Sequence, residues 1–257
     1  DLCARCPGES RDTHMKQHSN KAKLAALAIA TSFLAACGGG GDENAPVAST
    51  ASFPLSTVAG NIATAAKTYQ LRITESVTSA GKTTVYSGSG IYTITNTPAT
   101  FEGVTATKKL YRSKGTVTTN GVSGAYSFDD TTALYLGSEA KPLGYTDSGS
   151  YCVISNQVSL PANAAIGSSG AWYDLTCYAS IAKTSSIGTG TVTYSVESAE
   201  NGNPLFRVTT RTMGTQGQSR TTLTTYQMTQ TGDVTLISER TTFTGNGTSA
   251  TTETTFQ

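Results

Sequence analysis

Five cysteines and two histidines carry the most specific chemistry in this 257-residue chain, and their placement divides it in two. Cys3, Cys6, His14 and His18 precede Cys37, whereas Cys152 and Cys177 follow it. The Cys3-x-x-Cys6 pair is half of a zinc site. Tetrahedral zinc needs a second pair of ligands at suitable spacing, and His14 and His18 complete no such pattern. Beyond Cys37 there is no histidine at all, which removes Ser-His-Asp and Cys-His nucleophiles, histidine bases and histidine-ligated metal from that part of the chain. In an exported chain, Cys152 and Cys177 read as an even pair that forms a disulfide. Closing a loop of about 25 residues would stabilise the fold by roughly 3 kcal/mol. Two buried free thiols are the competing reading.

Other groups with chemical potential are scarcer. Asp129-Asp130 could supply calcium ligands or an acid pair, but adjacent strand residues point to opposite faces, and Asp is a common turn former. Lys108, Lys109, Arg112 and Lys114 form a basic cluster in KKLYRSKG. On a strand, Lys108, Leu110, Arg112 and Lys114 share one face while Lys109, Tyr111 and Ser113 share the other. Such a cluster could touch anions or lipid headgroups, or protect an edge strand against aggregation. The 12 tyrosines and the single tryptophan, Trp172, could line an apolar cavity inside a curved sheet or simply fill a core. Phosphate loops, nucleophile elbows and Rossmann fingerprints are absent. Gly88-Ser89-Gly90 falls within a strand pattern and marks a bend or bulge.

The elements that position these groups begin with a targeting segment. Lys16, Lys21 and Lys23 precede an apolar run from Leu24 to Leu34 that is too short for the ~30 Å hydrocarbon core, and the run ends in Leu34-Ala35-Ala36-Cys37. This stretch resembles the signal of bacterial lipoproteins, whose box is Leu-small-small-Cys. The resemblance implies cleavage before Cys37, a lipid thioether on its sulfur, and acylation of the new amino group, an anchor that several acyl chains make durable. Gly38 stands where that family often carries an inner-membrane retention Asp, which implies the outer membrane. The resemblance brings no activity with it. Residues 1–14 read as an upstream extension that is not native to the protein.

Removing the first 36 residues leaves 221, with 13 basic and 14 acidic side chains, so charge gives no argument for nucleic acid. Residues 37–52 are rich in Gly, Ala and Ser and read as a flexible tether. Ser56 to Lys67 predicts one short helix with Ser56 as N-cap and Val58, Ile62 and Ala66 on one face. Beyond it the pattern is β: Leu71, Ile73 and Val77 alternate with Arg72, Thr74 and Ser76, and Val192, Tyr194 and Val196 with Thr191, Thr193 and Ser195. Turns are expected at Ala80-Gly81, Asn120-Gly121, Thr231-Gly232-Asp233 and Gly245-Asn246-Gly247. Shifting the chain by 100 residues aligns Gly88-Ser-Gly90 with Gly188-Thr-Gly190 and Tyr126 with Tyr226, the mark of a duplication.

The expected molecule is an all-β protein. It has an antiparallel meander of about 10–12 strands, built as two tandem repeats (53–148 and 149–257) that form one curved sheet, a barrel or a sandwich, behind a signal helix at 15–36. The expected function is that of an outer-membrane lipoprotein in the cell envelope, without catalysis or cofactors. It is held to the membrane by lipid (palmitate) on Cys37 and has a structural, adhesive or protein-binding role. The alternative is a carrier or chaperone that holds an apolar ligand or lipid inside a barrel or half-barrel.

Overall fold

A computed structural model describes residues 51–119 and 125–257. The signal, Cys37, Cys3, Cys6 and the Asn120-Gly121 turn lie outside the described residues. In chain order the elements are β1 (Ser52–Phe53), α1 (Leu55–Thr64), β2 (Lys67–Ser79), β3 (Lys82–Phe101), β4 (Val104–Thr119), β5 (Ala125–Leu136), a 3-10 turn at Ser138–Ala140, β6 (Pro142–Thr146), β7 (Tyr151–Ser155), β8 (Ala164–Ala165), β9 (Ser169–Tyr178), β10 (Ser186–Ser198), β11 (Pro204–Gly214), β12 (Ser219–Met228), β13 (Val234–Gly245) and β14 (Thr248–Phe256).

Twelve of these strands close into one antiparallel barrel, each hydrogen-bonded to its neighbours along the chain, with β14 pairing back onto β2. The expected meander is therefore present, and it closes. β1 and β8 stand apart as a two-stranded ribbon, Phe53 opposite Ala164. Closure matters physically because it removes the row of unpaired backbone groups that an edge strand exposes. The seam is continuous from Phe256 opposite Leu71 to Thr248 opposite Ser79, and Gln70 and Gln257 add a reciprocal backbone pair at 2.9 Å.

Local sequence explains the hairpins. Ala80-Gly81, Glu102-Gly103 and Asn246-Gly247 form two-residue turns with positive φ at both positions (50° and 76°, 50° and 77°, 51° and 72°), the geometry whose twist matches that of the flanking strands. The alternation along the strands is equally direct. Val192, Tyr194 and Val196 are buried while Thr191 and Thr193 are exposed, and Tyr69 and Leu71 are buried while Gln70 and Arg72 are exposed. The outer face is accordingly polar, carrying Arg72, Arg112, Arg240 and Glu253 among threonines. A lipid-facing barrel needs the reverse, an apolar outer band roughly 25 Å tall.

Glycines let the two strands of the long β3–β4 hairpin approach closely. Gly90 lies opposite Gly115, and a Cβ on Gly90 would stand 2.2 Å from the Lys114 carbonyl oxygen and 2.8 Å from the Gly115 Cα. The bulge expected at Gly88-Ser89-Gly90 is absent, since both ladders run through it without a register shift; the glycines serve a close approach of two strands instead. The hairpin tip folds over the outside of β5–β7. There Phe101 stacks on Tyr135 and Tyr151 at 4.6 and 5.2 Å and covers Gly144, while Glu102 accepts hydrogen bonds from the Tyr151 hydroxyl and Lys183 Nζ, both at 2.5 Å. The lysine, then the tyrosine, hold the Glu102 carboxyl below its ordinary range.

Three expectations need correction. α1 begins one residue before Ser56, its N-cap is Pro54, and no side chain caps it; Pro is suited to a first turn that lacks intrahelical partners for its N–H groups. Asp129 and Asp130 lie within β5 rather than in a turn, because Arg112 on β4 binds Asp129 with two hydrogen bonds at 2.6 and 2.7 Å. β4 is paired on both sides, so its lysines do not guard an edge.

Cys152 and Cys177 face each other directly across β7 and β9 and form the expected disulfide, with their Cα atoms 4.0 Å apart. β7 and β6 are the shortest strands of the wall, five residues each, so the bond fastens the segment with the fewest ladder hydrogen bonds. Reduction is expected to lower stability by about 3 kcal/mol, read as a shift of the urea midpoint at constant slope, with a mass gain of about 2 Da. An unchanged midpoint would remove this role.

Candidate functional site

A barrel of about eight strands is just filled by its own side chains, so twelve enclose more space than a single inward-facing layer can occupy. Two things fill this one: the helix α1 and an unusual number of aromatic rings. α1 contributes Leu55 and Val58 to a cluster with Tyr194, Val196, Phe206 and Met228, which brings it against β10, β11 and β12. Its far end reaches β3 and β4. Lys109, 1% exposed, donates from Nζ to the carbonyl oxygens of Ala63 and Ala65, and Asn96, its register partner, donates from Nδ2 to the Thr64 oxygen at 2.9 Å. The last carbonyls of a helix have no partner within it, and here two side chains of the barrel wall supply them. Asn61 Nδ2 adds a bond at 2.9 Å to the Gly232 oxygen in the β12–β13 turn. α1 thus spans one end of the lumen. Burial lowers the Lys109 ammonium to about 8.

Beneath α1 is a partly open pocket of about 100 Å³. Ala59, Ile62 and Ala63 form its roof; Tyr111, Tyr173, Tyr226 and Trp172 supply aromatic walls, and Thr224 a polar one. Thr224 Oγ1 donates to Glu239 Oε2 at 3.4 Å on the adjacent strand. A second group of rings adjoins this pocket: Tyr92 stacks on Tyr111 at 6.2 Å and meets Phe256 at 4.9 Å, and Tyr69 meets Phe256 at 5.8 Å. Among the described residues no hydrogen-bond partner is found for the hydroxyls of Tyr92, Tyr111, Tyr173 or Tyr226.

Electrostatics single out Glu239. Burial raises its carboxyl above the ordinary 4.5, against weaker opposing effects of Arg220 and the Thr224 hydrogen bond. Burial likewise raises the phenols of Tyr92, Tyr111 and Tyr226, and the Glu239 charge adds to each. Glu239 is therefore a carboxyl group flanked by tyrosine rings, while another inward carboxyl, Glu75 on β2, accepts a hydrogen bond from Thr252 Oγ1 at 3.3 Å; an apolar pocket with few polar groups and shifted titration marks binding sites.

The larger concavity, about 610 Å³, is of another kind. It is an open saddle on the outer face of β9–β12, lined by Thr189, Thr191, Arg211, Met213 and Asp174, with Asn156 Nδ2 donating to Asp174 at 2.9 Å. We take the pocket beneath α1 as the candidate site because its aromatic and polar groups are half-buried and converge.

Of the residues singled out from sequence, Cys152 and Cys177 meet, and Tyr145 places its hydroxyl 3.5 Å from the Cys177 Sγ. Asp129 and Asp130 do not converge. The basic cluster divides by strand parity, with Lys109 inside and Arg112 and Lys114 exposed outside. Trp172 lines the pocket. Sequence reasoning missed Glu239 and Thr224. From buried Leu236, simple alternation puts Ser238 and Arg240 inward, but a register shift leaves Ile237 as an extra residue between Leu236, opposite Tyr226, and Ser238, opposite Thr225. Glu239 is thereby turned inward.

No protein-family model matches the chain, and neither a curated protein nor a solved structure matches it significantly. The architecture itself defines the class: a closed twelve-stranded up-and-down barrel with a helix across one end.

The raised carboxyl carries a sign that can be tested. A group whose native pKa exceeds its unfolded value binds more protons in the native state, so stability falls as pH rises from 4.5 through the native pKa. Glu239→Gln is expected to raise the melting temperature at pH 7.5, with the gain vanishing below pH 4.5. Thermal unfolding at both pH values checks this, and a lower melting temperature at pH 7.5 would contradict it.

Proposed function

We propose that this protein is a binding protein of the bacterial envelope: a lumen that holds a small molecule, carried on a polar barrel and tethered to the outer membrane through lipid on Cys37. The single observation that carries the reading is the partly open pocket beneath α1, with four aromatic residues in its wall and Glu239 behind Thr224. Its role is binding rather than catalysis. Closure favours the carrier over an adhesive role by strand addition, since the barrel offers no free edge. Size narrows the cargo. Pockets for drug-sized ligands span roughly 300–1,000 Å³, and an engineered cavity of about 150 Å³ takes benzene. A pocket of about 100 Å³ suits a small molecule or headgroup rather than an acyl chain. The outer saddle of about 610 Å³ supports a second reading, a protein-binding face on β9–β12.

Trp172 is the only tryptophan and lines the pocket, so its emission reports on the site alone. Titrating the full-length chain with benzene, phenol, acetate and tetramethylammonium is expected to give a saturable emission shift with at least one of them. Ala59→Phe, which fills the pocket from the roof, should abolish the shift while thermal unfolding remains cooperative. Failure of all four probes to bind would overturn the lumen reading.

The tether is tested separately. Growth with an alkyne-bearing palmitate analogue is expected to label the chain in the membrane fraction, and Cys37→Ser to remove the label. Equal labelling of that variant would refute the anchor.

A further inference from the structure

From the way the lumen is built, we infer that its ligand is a small organic cation, a quaternary or alkylated ammonium group held by the faces of Tyr111, Tyr173, Tyr226 and Trp172 and countered by Glu239. The inference rests on the lumen reading above and specifies its ligand. Three observations carry it. First, three tyrosines and a tryptophan stand in the pocket wall beside the aliphatic Leu134, Leu136 and Val208, and the negative faces of such rings attract a desolvated cation; clustered aromatic faces suit alkylated ammonium. Second, Glu239 stands immediately behind the wall. Its one hydrogen bond comes from Thr224, which itself lines the pocket, and it takes part in none of the ion pairs found among the described residues. Arg220, the nearest basic group acting on it, is not within contact distance and is exposed to solvent.

Third, the cationic groups that could compete for the cage are engaged elsewhere. Lys109 is held by the carbonyls that end α1, and its Nζ lies 5.7 Å from the Tyr111 ring centroid. Lys67 lies over Tyr69, at 4.8 Å, outside the pocket lining. A half-buried carboxyl group among rings and without an ion-pair partner is a costly arrangement, and a bound cation would supply that partner. An anion would meet Glu239 at close range with no positive group lining the pocket, and a neutral molecule would leave the carboxyl unpaired. The volume of about 100 Å³ limits the group to the size of a methylated ammonium head.

The test compares tetramethylammonium with tert-butanol, a near-isosteric neutral molecule, by calorimetric titration of the full-length chain at pH 7.5. Tetramethylammonium is expected to bind at least tenfold tighter. Glu239→Gln should reduce that preference by tenfold or more, and because this variant is expected to fold stably, loss of binding is not loss of structure. Tyr226→Phe, which keeps the ring and removes the hydroxyl, should retain affinity within threefold, whereas Tyr226→Leu should weaken it by tenfold or more. Equal binding of the two probes would overturn the cation assignment and leave the lumen reading intact. Binding of benzene or phenol without tetramethylammonium would do the same. Absence of binding by every probe would overturn both.

Discussion

The contact on which the rest of the molecule depends is the one between the end of α1 and the side chains of Lys109 and Asn96. A helix laid across the mouth of a barrel brings its unpartnered carbonyls into an apolar interior, where each would cost free energy comparable to a lost hydrogen bond. Lys109 and Asn96, facing each other on β3 and β4, resolve this together, and in doing so fix where α1 stops and how it is turned. The hydrophobic residues Leu55 and Val58 then meet the β10–β12 wall and Ala59, Ile62 and Ala63 roof the pocket. An ammonium group buried this deeply is expensive. The barrel tolerates it because the charge is met by the carbonyl dipoles of Ala63 and Ala65.

Width creates the second constraint. Twelve strands enclose more than aliphatic side chains fill, so the interior is occupied by rings whose hydroxyls need polar surroundings, and Glu239 sits among them. The same residue that makes the interior chemically useful makes it less stable. Such a conflict between local preference and packing is where function is expected to concentrate. Outside, the wall follows ordinary rules: threonines, alternating charges and a hairpin tip clasped by Glu102, while the disulfide that fastens the short strand β7 to β9 is buried.

Much of this was legible in residue order. Period-two alternation at Leu71–Val77 and Val192–Val196, glycine-bearing turns and the single helical stretch gave the antiparallel meander, and two cysteines gave the staple. Parity even put Lys109 and Tyr111 on one face. What alternation could not reveal was that this face is the interior, because that depends on β14 meeting β2 some 180 residues away in the chain. Nor could it place Glu239, since the extra residue Ile237 reverses the parity of everything after it. The disulfide was found by counting, but the ring cluster required the closed geometry that brings strands from both halves of the chain around one space.

The seam between β2 and β14 also sets the order of events in making the protein. β2 is the first wall strand to leave any ribosome or export channel and β14 the last, so every other strand can pair with its predecessor as it emerges while β2 waits with one side open. Closure costs the loop entropy of nearly the whole domain and comes last. The chain therefore cannot complete its wall before its last strand is present, and a fragment that stops before Thr248 lacks the strand that pairs with β2.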